Sequence, residues 1–188
     1  VHGFGEVALV HFDAHADTGE IHGIGSLYGH GTPMRRLIES GAVPGHRFVQ
    51  VGLRGYWPGP EIVAWMKEQG MRSYLMTEIE QRGLSSVVDD AVRYAGEGAS
   101  GVFLSIDIDV VDPGMAPGTG TPEPGGLTAR QLLDTVRRLS RELNIVGADI
   151  VEVSPPYDGP GAITSLLGNR VVLEILNGLA ERAAGVSS

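Results

Sequence analysis

The chain has 188 residues, enough to bury a sizeable core within one domain. It is 42% hydrophobic with a formal net charge of −9, which argues against nucleic acid or anionic membrane partners and is mildly compatible with a cationic substrate. The absence of cysteine excludes a disulfide framework, a thiolate zinc site and a cysteine nucleophile.

No apolar run reaches ~18 residues, so neither a membrane span nor a signal peptide is expected, and the expected compartment is the cytoplasm. Strand-like and helix-like runs alternate along the chain. Residues 7–13 read as a strand. Residues 32–40 read as a helix, with Thr32 as N-cap, Pro33 at the first position and Gly41 as the stop. Residues 47–53 read as a strand, 59–69 as a helix closed by Gly70, and 72–77 as a short strand. A helix over 84–95 and a strand over 101–107 follow. Residues 128–143 read as a helix opened by a Thr128–Gln131 capping box. A strand over 145–153 and a helix over 163–184 complete the chain. This alternation predicts a single domain of class α/β. Its architecture would be three layers, α/β/α, with a mainly parallel sheet that gathers ligands at the carboxyl ends of its strands.

Two stretches fit neither period. Residues 18–31 and 110–127 are glycine-rich, and the second also holds four prolines. Each directly follows an acidic motif, so both are expected to wall one pocket.

Those motifs are His11-Phe12-Asp13-Ala14-His15-Ala16-Asp17 and Ser105-Ile106-Asp107-Ile108-Asp109-Val110-Val111-Asp112-Pro113. Each begins as an apolar strand and then places acids where a buried strand should place none. With strand periodicity, Asp13, His15 and Asp17 share a face, as do Asp107 and Asp109. Four carboxylates and an imidazole crowded at strand ends would repel and lose hydration unless a cation joins them. Carboxylate with some imidazole suits manganese, with iron second. The acids exceed what one ion needs, and two bridged ions would use them all. Such a pair lowers the pKa of a shared water toward neutrality, so metal-assisted hydrolysis is the expected reaction class.

Glu152, at the end of the 145–153 strand, suits a planar cation such as a guanidinium. His30, held in Gly29-His30-Gly31, can deliver a proton to a leaving amine. His22 is assigned nothing. His2, His11 and His46 read as structural or exposed, although His11 stands two residues before Asp13 and can face the site. Arg54 and the following Gly55-Tyr56-Trp57-Pro58 read as shaping the pocket or a subunit contact.

The two acidic motifs, together with Ala116-Pro117-Gly118-Thr119-Gly120-Thr121-Pro122, Gly125-Gly126-Leu127-Thr128 and Asp149-Ile150-Val151-Glu152-Val153, resemble the ureohydrolase family of arginases and agmatinases. The segment Gly29-His30-Gly31-Thr32-Pro33-Met34-Arg35-Arg36 is similar to the branch holding agmatinase, guanidinobutyrase and proclavaminate amidinohydrolase. The resemblance implies an arginase-like fold and two Mn(2+) ions per subunit held by Asp13, His15, Asp17, Asp107 and Asp109. It implies His30, Asp17 and Glu152 as catalytic residues, with Glu152 and His30 binding the substrate. The implied reaction cleaves a guanidino compound, agmatine or a related linear amidine, to urea and an amine. A trimer or hexamer is the implied assembly. The family also carries an upstream Gly-Gly-Asp-His motif that nothing before Val7 matches, so the N-terminal portion is expected to be missing. Two other readings are an inactive homologue serving as a non-catalytic subunit and a metal-dependent deacetylase with one zinc. The paired Asp107 and Asp109 and the 117–122 loop weigh against the deacetylase.

Overall fold

The computed structural model describes residue 3 and residues 5–21 and 25–185. His2 and His22 lie outside the described residues. Five strands form one parallel sheet: β1 (Val7–Phe12), β2 (Phe48–Leu53), β3 (Arg72–Leu75), β4 (Gly101–Asp107) and β5 (Ile145–Val151). Their order is β3-β2-β1-β4-β5. The helices are α1 (Pro33–Glu39), α2 (Pro60–Glu68), α3 (Met76–Arg82), α4 (Leu84–Gly96), α5 (Ala129–Glu142) and α6 (Ile163–Ala183).

The expected α/β/α class is what the chain adopts. From β1 the chain steps outward through β2 to β3, then returns to place β4 on the other side of β1. Right-handed crossovers put the helices of the two directions on opposite faces. Accordingly α1 and α2 pack on one face, around Leu9, Ile38, Phe48, Leu53 and Met66. The main core lies on the other face, where Ala8, Val10, Phe12, Leu104 and Ile106 meet Val87, Val88 and Ala91 of α4 and Leu132, Val136 and Leu139 of α5. Each large aliphatic buried there contributes about 1.5–3 kcal/mol relative to exposure.

The α5 capping box forms as expected. The Gln131 amide donates to Thr128 Oγ1 at 3.1 Å, and the Thr128 amide donates to Gln131 Oε1 at 2.8 Å. Thr32 departs from expectation and does not cap α1 with its side chain. Its hydroxyl turns back to donate to the Leu27 carbonyl at 3.0 Å and to accept from the Gly29 amide at 3.0 Å. The Asp17 carbonyl caps α1 instead, accepting from the amides of Met34 and Arg35. Residues 76–77, read as the end of a strand, open α3, which buries Met76 and Ile79 one turn apart and stops at Gly83 (φ 84°). The last strand is also shorter than expected. β5 ends at Val151, and Glu152 lies beyond it.

Candidate metal centre

Both acidic motifs leave the sheet at the carboxyl ends of β1 and β4, the neighbouring strands between which the strand order reverses. Open parallel sheets split there to form a crevice. Period-two alternation is not what gathers the side chains. β1 ends at Phe12, and β4 ends at Asp107 before a 3-10 turn over Ile108–Val110. The acids converge because both segments fold into turns stapled by their own carboxylates. Asp13 Oδ1 accepts from the His15 amide at 2.6 Å, and Asp107 Oδ1 accepts from the Asp109 amide at 2.9 Å. Asp109 Oδ1 accepts from the Ala14 amide at 3.1 Å and so ties one turn to the other.

His15 Nδ1 lies 2.9 Å from Asp109 Oδ2 and 3.4 Å from Asp13 Oδ1. Asp13, His15 and Asp109 offer donor atoms within 4.8 Å of one another, and so do His11, Asp13 and Asp17. Asp107 faces the same cavity. Asp13 is 1% exposed, and its Oδ2 faces His11 Nε2 at 3.0 Å. A carboxylate so buried costs free energy unless hydrogen bonds and positive charge compensate it.

The electrostatics make the same point. Hydrogen bonding to Asp109, and then to Asp13, raises His15 to about 10. Burial pushes Asp13 up, but the His11 and His15 imidazoles beside it outweigh burial and hold it well below the carboxylate range. Burial, and then the Asp13 charge, raises both Asp17 and Asp107, with Asp109 adding to each. The carboxyls cannot all ionise together without a compensating cation. A buried donor set of carboxylates and imidazole fits one or two divalent ions.

A cavity of about 500 Å³ opens over this group. His15, Asp17, His30, Asp107, Thr121 and Glu152 present polar groups to it, and Ile21, Trp57, Pro58 and Ile62 form its apolar wall. Both glycine-rich stretches contribute, as their positions implied. Asp17 (φ 53°) and Glu152 (φ 60°) hold left-handed backbone, a conformation that costs an L-residue about 1–2 kcal/mol. That turn is what lets Glu152, just past the strand end, line the cavity.

Two contributors carried little signal. Thr121 Oγ1 approaches Asp109 Oδ2 at 3.3 Å, and only its place in the 116–122 stretch hinted at this. Arg54 gives all its donors to main-chain carbonyls. Nη2 reaches those of Asp109 and Glu123 at 2.6 Å each, Nε those of Glu123 and Pro124, and Nη1 those of Gly52 and Val110. It pins the 110–127 loop to the end of β2. His46, by contrast, is far from the site and lies 3.6 Å from Glu6.

The Arginase family model matches residues 1–177. The chain belongs to the arginase family. Among its arginase-family relatives, it is 46% identical to guanidinopropionase of Pseudomonas aeruginosa over 178 residues, covering 95% of this chain and 55% of that protein. It is 43% identical to mitochondrial agmatinase of Gallus gallus, covering 92% of this chain and 49% of that protein. The solved proclavaminate amidinohydrolase of Streptomyces clavuligerus superposes with a TM-score of 0.84 at 39% identity, covering 95% of this chain and 57% of that one. The chain thus spans about half the length of the curated arginase-family relatives it matches.

Proposed function

We propose that this chain carries the hydrolytic site of a guanidino-compound hydrolase, which splits agmatine or a related linear amidine into urea and an amine. The observation that carries the reading is the buried cluster of Asp13, His15, Asp17 and Asp109 beneath a cavity that Glu152 also lines. Relatives named guanidinopropionase, guanidinobutyrase and agmatinase support the substrate class.

Asp13, His15, Asp17, Asp107 and Asp109 would hold two manganese ions. Bound there, the ions supply an acidified water and positive charge opposite the developing negative charge. Glu152 accepts paired hydrogen bonds from the guanidinium and offsets its charge, which orients the central carbon toward that water. Asp17, at the floor of the cavity, shares this positioning work. In that reaction the oxygen of water would bond to the guanidinium carbon, the bond from that carbon to the substituted nitrogen would break, and the two water protons would end on the departing amine, with His30 relaying them. Ile21, Trp57, Pro58 and Ile62 exclude water around the substrate tail. The protein would work in the cytoplasm as a trimer or hexamer on a small cationic substrate, without nucleic acid or membrane partners.

The test is urea release from a panel of guanidino compounds by the manganese-loaded protein, with bound metal counted in parallel. Asp109→Ala should abolish urea release and one metal equivalent together. Unchanged activity in that variant would end the mechanism, and urea from no compound would favour a non-catalytic subunit.

A further inference from the structure

One layer of polar side chains crosses the whole sheet just below the acidic turns. Ser73 of β3, Gln50 of β2, His11 of β1, Ser105 of β4 and Asp149 of β5 stand in register on adjacent strands. Gln50 is 0% and His11 1% exposed. Buried parallel strands normally read as continuous apolar runs, so a polar row at mid-sheet needs a cause.

Hydrogen bonding supplies direction to the half that leads to the site. Gln50 Nε2 lies 2.8 Å from the Ala16 carbonyl, which can only accept, so the amide nitrogen is the atom that faces it. Gln50 Oε1 then accepts from Ser73 Oγ at 3.1 Å. The second amide proton faces His11 Nδ1 at 3.2 Å, so Nδ1 accepts and the ring proton sits on Nε2. Nε2 lies 3.0 Å from Asp13 Oδ2, so its N–H faces that carboxylate. Phe48 meets the His11 ring edge-on at 6.0 Å between centroids and limits its rotation.

We propose that Ser73, Gln50 and His11 form a buried positioning relay that presets the Asp13 carboxylate and the 13–17 turn for a divalent cation. Gln50 acts twice, on the His11 ring and on the Ala16 carbonyl between His15 and Asp17. His11 with its proton on Nε2 aims a carboxylate and offers no lone pair there to an ion, although it stands within reach of Asp13 and Asp17. Partners behind metal ligands typically govern affinity because they fix ligand orientation before the ion arrives. The inference rests on the metal reading proposed above.

The test uses Gln50→Leu and Ser73→Ala in the full chain, with manganese(II) chloride titrated calorimetrically and thermal unfolding followed in a chelator. Gln50→Leu keeps the volume but leaves the Ala16 carbonyl and His11 Nδ1 without that partner, so metal-free melting should fall modestly while manganese affinity falls ~10–100-fold, more than the lost stability accounts for. Ser73→Ala, which leaves Gln50 anchored to Ala16, should fold normally and weaken manganese only a few-fold. If Gln50→Leu does not fold, Ser73→Ala still decides. Manganese affinity equal to wild type, or lost only in step with metal-free stability, would make the row merely structural and overturn the relay. A wild-type chain that takes up no manganese would instead overturn the metal reading itself.

Discussion

At the scale of single residues, the site is built from side chains held where they are costly to keep. Asp17 and Glu152 carry left-handed backbone, and both line the cavity. Non-glycine residues persist in that region when the surroundings over-determine them, and such strain collects at working sites. Glu152→Gly should therefore separate stability from activity. It should gain about 1 kcal/mol in thermal unfolding, because glycine adopts this conformation freely, while urea release is lost. Glu152→Ala should lose urea release without the gain. A Glu152→Gly variant that keeps its activity would remove the carboxylate from the mechanism. Asp13, His15, Asp17, Asp107 and Asp109 could be singled out from the sequence because acids follow apolar runs. The left-handed turn at Glu152 could not, since nothing local marks it.

Among the elements, the connections matter as much as the strands. Arg54 joins the end of β2 to the loop that follows β4 through carbonyls of Gly52, Asp109, Val110, Glu123 and Pro124. A lysine offers a point charge with three donors in place of a planar fork. Arg54→Lys should destabilise the protein by about 1–3 kcal/mol, the cost of leaving partly buried carbonyls unpaired. It should also speed proteolytic cutting within residues 110–127, readable by mass spectrometry of the fragments. At the other end of that loop, Thr128→Ala removes one arm of the α5 capping box and should cost about 1 kcal/mol in denaturant unfolding. The capping box was legible because it is a four-residue pattern. Helix α3 was not, because it shows only Met76 and Ile79 to the core and its first residues continue a strand-like run.

For the whole molecule, the acids and their imidazole couple folding to pH and, in the proposed function, would couple it to metal. His15 is raised to about 10, and its paired form contributes stability that is full below the ordinary histidine value of 6.5 and lost as pH rises toward 10. Asp17 and Asp107 are raised as well, so their contributions also fade as pH climbs above the usual carboxylate range. All three signs agree. The metal-free protein should lose thermal stability steadily from about pH 6.5 to 10, and manganese uptake should release protons and tighten over the same window. Calorimetry in buffers of different ionisation enthalpy measures the proton release. At a manganese concentration one hundred times its dissociation constant, binding should add about 2.7 kcal/mol of stability. A metal-free protein that grows more stable over that window would contradict the charge arrangement described here.

The sequence by itself determined most of the strands and helices and which acidic and imidazole residues gather at the strand ends, because strand and helix periods, capping pairs and acids after apolar runs are local patterns. It also determined the family, through ordered motifs spread along most of the chain. Only the tertiary structure decided how those residues meet. The strand order brings β1 and β4 side by side, two separate turns interlock through the Asp109 carboxylate and the Ala14 amide, and Gln50 reaches His11 across a strand register. Those contacts join residues 39 to 95 positions apart, and their energies depend on distances that no local pattern encodes.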